Sequence, residues 1–218
     1  MSNVYLFSIV KPYIDRSNLD TITVKKGKVI KLEVNVRGEP PPTITWKLKD
    51  KVVKTENNVE VVSEDYKTNI TINDAQRKDT GLYVIIAENV VGKDEAQVEF
   101  VVLDEPGAPG TPEIVDWDEN HVDLKWTPPK NDGGAPITGY IIEKKERYGP
   151  GWEPCLTTQS PKPEAKVEGL QYGNQYQFRV KAVNKAGPGE PSEPTKSHTS
   201  KPRYCKHKKS LKHFNFLH

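Results

Sequence analysis

The fold of the first half of this chain is decided by the stretch Asp79-Thr80-Gly81-Leu82-Tyr83-Val84-Ile85-Ile86-Ala87-Glu88-Asn89. Tyr83, Ile85 and Ala87 point to the same side of an extended chain, which is the period-two pattern of a half-buried β-strand. An Asp-x-Gly-x-Tyr corner leads into this strand. The run Leu32-Glu33-Val34-Asn35-Val36 alternates in the same way upstream. Two strands of one buried core are therefore predicted here.

Short strands of this kind recur along the chain at 8–12-residue spacing, with turn residues between them and no sustained helical period. This pattern predicts an all-β fold of the sandwich type. Strand alternation places the large residues inside. The predicted core residues are Val34, Trp46, Tyr83, Ile85, Trp126, Tyr140, Tyr176 and Phe178.

The totals agree with two soluble domains. A length of 218 residues suits two domains of about 100 residues each. The net charge is +2, but residues 203–218 carry five basic groups and no acid, so the remainder has 27 basic and 30 acidic groups and a net charge of −3. Nothing in this globular part suggests a nucleic-acid surface. No apolar run approaches the ~20 residues of a membrane span, so no membrane partner is expected.

The first half carries three motifs that define a domain type. They are Gly38-x-Pro40-x-Pro42 before Trp46, then Asp74-Ala75-Gln76, then Asp79-x-Gly81-x-Tyr83-x-Ile85-x-Ala87-x-Asn89. With them, residues 11–103 resemble an intermediate-set immunoglobulin domain.

The second half carries a different signature. Its motifs are Trp126-Thr127-Pro128-Pro129, Asp132-Gly133-Gly134, Ile137-Thr138-Gly139-Tyr140 and Tyr176-x-Phe178-Arg179-Val180-x-Ala182-x-Asn184. With them, residues 106–201 resemble a fibronectin type III domain. Tyr176 follows Leu170 by six residues, a spacing that suits a tyrosine corner.

These motifs set the expected domain boundaries. We expect an N-terminal segment at 1–10 that matches neither type, and the immunoglobulin-like domain at 11–103. A linker rich in Pro and Gly follows at 104–112. The fibronectin type III domain is expected at 113–201, and a basic, disordered tail at 202–218.

The combination resembles the titin-like giant muscle proteins, the family of twitchin, projectin and titin, with myosin-binding protein C as a related possibility. The resemblance implies a non-catalytic structural and protein-binding module that contributes to filament organisation and mechanical tension. It implies a cytoplasmic location in the A-band of the muscle sarcomere. The implied partners are myosin or other thick-filament components, and neighbouring domains of the same parent chain.

Val34 and Ile85 occupy the two positions where an immunoglobulin sandwich normally keeps cysteines. A disulfide closing this loop of about 50 residues would contribute about 4 kcal/mol. Burying Val or Ile instead contributes roughly 1.5–3 kcal/mol each. The domain is therefore expected to fold without a disulfide, which favours the reducing interior of a cell.

No catalytic, cofactor or metal site is predicted. The sequence has no glycine-rich phosphate loop and no nucleophile elbow, so none of the usual elements of an active site is present. The spacings of Cys205, His207, His213 and His218 fit no standard zinc finger.

Two other functions remain open. One is the ectodomain of an adhesion receptor, which uses the same domain types and is favoured only by the glycosylation sequon Asn69-Ile70-Thr71, with Asn69 expected to be accessible. The other is a regulatory segment that flanks a kinase domain in a longer product.

The candidate protein-binding site is a loop of the second half, since binding residues on sandwiches lie mainly in loops. The run 184–189 is predicted to be a hairpin loop. Its candidate binding residues are Asn184, Lys185, Gly187 and Pro188.

Overall fold

The computed structural model of the chain describes residues 9–203, which form strands and one short 3-10 helix. Predictions for residues 1–8 and 204–218, including most of the basic tail and all four possible zinc ligands, lie outside the described residues. The chain divides at Asp104 into two compact units, each with its own apolar core. The prediction of two tandem all-β domains is confirmed.

Within the described residues, the first domain has nine strands. Their bounds are β1 Val10–Ile14, β2 Ile22–Lys25, β3 Ile30–Glu39, β4 Thr43–Leu48, β5 Lys51–Val52, β6 Val59–Glu64, β7 Lys67–Ile72, β8 Gly81–Asn89 and β9 Gly92–Leu103. One sheet has the order β1-β3-β7-β6 and the other the order β2-β9-β8-β4-β5. The β2–β9 pair is parallel and the other pairs are antiparallel.

The core of this domain is apolar where a disulfide would be expected. Val34 on β3 and Ile85 on β8 are both buried, one from each sheet. Trp46 lies beside Ile85 in the β4–β8 register and is also buried. Its indole N–H donates to the hydroxyl of Thr68 at 2.8 Å, so the one polar atom of the ring is satisfied.

A 3-10 turn at Arg77–Asp79 forms the corner before β8. The Asp79 carboxylate accepts the backbone N–H of Gln76 at 2.8 Å, which closes the turn. The Tyr83 hydroxyl then donates to the backbone carbonyl of Asp79 at 3.1 Å. Burial, followed by the nearby Asp79 charge, raises the pKa of Tyr83, so its hydroxyl stays protonated as the donor of this bond.

Asn69 is less accessible than predicted. Asn69 lies in β7, an inner strand between β3 and β6, and its side-chain oxygen is buried. Asn69 as a whole is half-buried, because its neighbours Thr68 and Ile70 face the core and Asn69 faces the other side of the sheet.

The second domain has eight strands in the part of the chain that the structure describes. Their bounds are β10 Glu113–Trp117, β11 His121–Lys125, β12 Gly139–Glu146, β13 Glu153–Thr158, β14 Glu164–Glu168, β15 Gln175–Asn184, β16 Gly187–Pro191 and β17 His198–Thr199. One sheet has the order β10-β11-β14. The other has the order β13-β12-β15-β16, with β17 also paired to β15.

Aromatic residues fill the space between these two sheets. Trp126 packs edge-on against Tyr140, with ring centroids 5.0 Å apart. Tyr176 and Phe178 are fully buried side chains of β15. The Tyr176 hydroxyl accepts the backbone N–H of Gln171 at 3.0 Å, which is the geometry of a tyrosine corner.

The proline- and glycine-rich segment predicted as a linker packs in part on the second domain. Pro106 and Pro109 are buried. The N–H of Gly107 donates to the Asn131 carbonyl at 2.9 Å, and the N–H of Gly110 donates to the Thr127 carbonyl at 2.9 Å. Residues 105–132, which include most of this segment, therefore belong to the second compact unit.

His198 lies in a half-buried aromatic cluster of the second domain. Its ring meets Trp117 edge-on, with centroids 5.6 Å apart, and its Nε2 atom is buried without a hydrogen-bond partner. Burial, followed by the charge of Lys201, lowers the pKa of His198. The folded domain therefore binds a proton at this site less readily than the unfolded chain does.

The second domain is expected to lose stability on mild acidification. Stability from His198 is complete above its unfolded pKa of about 6.5 and falls as the pH drops through that value toward the lower folded pKa. Urea unfolding of the wild type and of His198→Gln, measured from pH 8 to 5, tests this expectation. The His198→Gln variant should lose part of the dependence of unfolding free energy on pH. The control variant Lys166→Gln, at an exposed position, should keep that dependence. An unchanged slope in His198→Gln would contradict the assignment.

Candidate protein-interaction surface

The described residues offer little for catalysis. Within residues 9–203, no group of three or more His, Cys, Asp or Glu side chains is placed to hold a metal ion. No helix in the same range is long and apolar enough to cross a bilayer. The Cys155 thiol donates to the Ile142 carbonyl at 3.4 Å, and burial raises its pKa to about 11. It is therefore a protonated core thiol and not an activated nucleophile.

The predicted hairpin loop is shorter than expected. β15 continues to Asn184 and β16 begins at Gly187, so the prediction of a loop over 184–189 is wrong. The Asn184 side-chain oxygen accepts the N–H of Ala186 at 2.8 Å and of Gly187 at 3.2 Å. These bonds close the turn within two residues, and strand pairing resumes at once. Gly187 has φ of 141°, which favours glycine at this position.

The candidate binding residues of this hairpin separate into two groups. Asn184 is buried, and its side-chain nitrogen donates to the Asp132 carbonyl, so it shapes the turn. Lys185 and Pro188 are exposed, while Gly187 is half-buried. A partner could therefore reach the hairpin through Lys185 and Pro188.

A second surface lies on the outer face of the β12–β15 pair. Glu143 of β12 stands opposite Arg179 of β15. The Arg179 Nε donates to one Glu143 oxygen at 2.6 Å, and the Lys181 Nζ lies 2.9 Å from the other. The Arg179 guanidinium also stacks on Trp152, with its carbon 4.5 Å from the ring centre. One carboxylate thus holds two cations in fixed positions.

Glu143 stays ionised in this arrangement. Burial alone would raise the pKa of the Glu143 carboxyl, but the hydrogen bonds and charges of Lys181 and Arg179 outweigh it and lower the pKa. The Glu143 side chain is only 8% exposed, whereas those of Arg179 and Lys181 are 23% and 26% exposed. The face therefore presents the cations more than the carboxylate.

The same face continues toward the end of β12. A depression of about 330 Å³ is lined in part by Lys145, Arg147, Gln175 and Gln177. It shares residues with a neighbouring depression of about 390 Å³, which also reaches Tyr148. Arg147 donates to the side-chain oxygen of Gln175 at 2.9 Å and lies 5.3 Å from the centre of the Tyr148 ring.

Both domain types are found in comparisons with known families. Residues 12–102 match the immunoglobulin I-set domain, and residues 107–198 match the fibronectin type III domain. The crystal structure of domains A168-A170 from titin superposes with a TM-score of 0.64 at 30% identity, covering 89% of this chain and 67% of that chain. The chain belongs to the titin-like family of muscle proteins.

Full-length relatives of this titin-like chain are much longer. Fast-type myosin-binding protein C of Gallus gallus is 35% identical over 174 residues, which cover 79% of this chain and 15% of the relative. The titin homolog of Caenorhabditis elegans is 31% identical over 174 residues, covering 79% of this chain and 1% of the relative. The chain therefore spans a small part of the length of the curated relatives that it matches.

Sequence reasoning on this titin-like chain missed the charged face. In the sequence, Arg179 belongs to the motif that begins at Tyr176, whereas Glu143, Lys145 and Arg147 belong to no motif. The available signal was the outward alternation of Ile141, Glu143 and Lys145 beside buried Tyr140 and Ile142. It could not show that Glu143 and Arg179 are neighbours, because they are 36 residues apart in the chain.

Proposed function

We propose that this chain is a structural, protein-binding module of a giant sarcomeric protein, associated with the thick filament in the A-band. Myosin or another thick-filament component is its partner, together with neighbouring domains of the same parent chain. The module is non-catalytic, and it organises the filament and carries tension along it.

One observation supports this proposal above the others. Fast-type myosin-binding protein C of Gallus gallus, whose name states that it binds myosin, matches over 79% of this chain. The matched stretch of 174 residues is longer than either domain, so it includes parts of both. Relatives called titin and myosin-binding protein C are both sarcomeric muscle proteins, and they use the same domain types. The buried Val34 and Ile85 in place of a disulfide agree with a cytoplasmic location.

The topology of the first domain suits a part that bears load. β2 near the start of the domain pairs in parallel with β9 at its end, in the register Ile22↔Phe100 to Lys25↔Leu103. A pull on the two ends of the domain runs in opposite directions along these parallel strands. It loads their hydrogen bonds together in shear and does not open them one by one.

The location is tested by immunofluorescence of striated muscle with an antibody raised against residues 11–201 and checked for cross-reaction with related domains. We expect regular stripes over the thick-filament zone. Co-sedimentation of the purified chain with myosin filaments then tests the partner, and Lys185→Glu should reduce the bound fraction more than Lys166→Glu does. Staining of the cell surface or of secreted material without stripes would overturn the proposal.

A further inference from the structure

The outer face of β12 and β15 carries more cationic side chains than carboxylates. Lys145 and Arg147 line the depressions at one end of this face, and Arg179 and Lys181 lie further along it. The carboxylates are buried Glu143, already bonded to two cations, and Glu146, which also lines the depressions. Four cations therefore face two carboxylates.

Three of these cations, Arg147, Arg179 and Lys181, are fixed before any partner arrives. Arg179 is held between Glu143 and the ring of Trp152, and Lys181 is held by the same carboxylate. Arg147 is held by Gln175 and stacks near Tyr148. A surface whose long side chains are already ordered loses less conformational entropy when it binds.

The aromatic residues beside the cations add apolar area that a partner can cover. Tyr148 is 90% exposed, and Trp152 is half-buried against Arg179. Tyr, Trp and Arg are the residue types most often found where binding energy is concentrated in protein interfaces. The face thus combines positive charge, fixed donors and exposed ring area.

We propose that this face binds an extended, acidic segment of a protein partner. Alternate residues of a strand lie about 6.6–6.8 Å apart, and so do alternate residues of an extended peptide. Carboxylates at every second position of such a segment can therefore follow the row of cations from Arg147 toward Lys181. The inference rests on the proposed protein-binding function and names the chemistry of a partner.

The test measures binding of a fluorescein-labelled decapeptide of alternating Glu and Ser to the full chain, by fluorescence anisotropy at about 50 mM salt, where charge interactions are only partly screened. The double variant Lys145→Glu with Arg147→Glu should bind at least about tenfold more weakly than wild type. A matched control, Lys125→Glu with Lys166→Glu, makes the same change in net charge on the opposite sheet. It should bind within about twofold of wild type.

Three results would overturn the inference. The first is equal loss in both double variants, which would indicate attraction by net charge alone. The second is no measurable binding of the peptide by wild type. The third is tighter binding of a ten-nucleotide single-stranded DNA through Lys145 and Arg147, which would make the ligand a nucleic acid. None of these results bears on the striated-muscle location, so the inference and the proposed function fail separately.

Discussion

Replacing Trp46 with alanine is expected to lower the free energy of unfolding of the first domain by about 3–5 kcal/mol. The Trp46 ring is buried between the two sheets, so its removal leaves a cavity that close-packed neighbours cannot fill. Single domains have a total stability of about 5–15 kcal/mol, so this loss is a large part of the whole. The loss of unfolding free energy is measured by urea unfolding with hydrogen exchange as the readout, because peptides of each domain then report on that domain separately.

The control for this prediction is Trp46→Phe. It keeps most of the ring volume and removes the N–H that donates to Thr68 at 2.8 Å. A loss of about 1–2 kcal/mol is expected, because the Thr68 hydroxyl retains a contact with Ser63 at 2.9 Å. Peptides of the second domain should exchange as in wild type in both variants, since each domain has its own core. Equal losses in Trp46→Ala and Trp46→Phe would contradict the packing argument.

The strands that follow the sequence pattern most closely are those with one buried and one exposed side. β3 alternates between buried and exposed over all ten of its residues, and Tyr83, Ile85 and Ala87 of β8 are all buried. When one face of a strand must be buried, a shift of one residue would expose all of its apolar side chains to solvent. The alternating sequence therefore fixes the register of the strand. This is why the two cores could be predicted from residue types alone.

Strands at the edges of the sheets were not predictable in the same way. β6 is an edge strand whose residues are all partly or fully exposed, so its sequence carries no strong alternation. β16 contains two glycines and two prolines, which disfavour a strand. It forms because Asn184 closes the preceding turn and brings Gly187 opposite it. That cause is a side-chain hydrogen bond that residue propensities do not describe.

The charged face could not be predicted from the sequence for a related reason. Charged residues in a strand are usually solvated, so Glu143 reads as an exposed position in an otherwise apolar strand. Its burial depends on Arg179 and Lys181, which reach it only through the pairing of β12 with β15. A contact over 36 residues is fixed by the fold and cannot be read from local sequence.

Replacing Glu143 with glutamine is expected to lower the stability of the second domain by about 2–3 kcal/mol at pH 7. The substitution removes the negative charge that is paired with Arg179 and Lys181, so both positive charges are left partly buried without a counter-charge. The estimate lies below the range for fully buried pairs because both cations are about one-quarter exposed and partly solvated. Urea unfolding of the second domain measures the loss, and Glu168→Gln, at a more exposed ion pair with Lys166, should change stability by less than about 1 kcal/mol.

The pH dependence of this loss separates charge from packing. The pKa of Glu143 is lowered in the folded state, so its stabilisation is complete above the unfolded pKa of about 4.3 and is lost as the pH falls through the lower folded pKa. The difference between wild type and Glu143→Gln should therefore shrink in acid, and a difference that stays constant from pH 7 to the acid limit would refute the electrostatic origin. At pH 7 the same substitution releases Arg179 and Lys181 from their shared carboxylate. It should therefore strengthen binding of the alternating Glu–Ser peptide while it weakens the domain. Arg179 keeps its stack on Trp152, so we expect the removal of a competing carboxylate to outweigh the loss of one contact that fixes the cations.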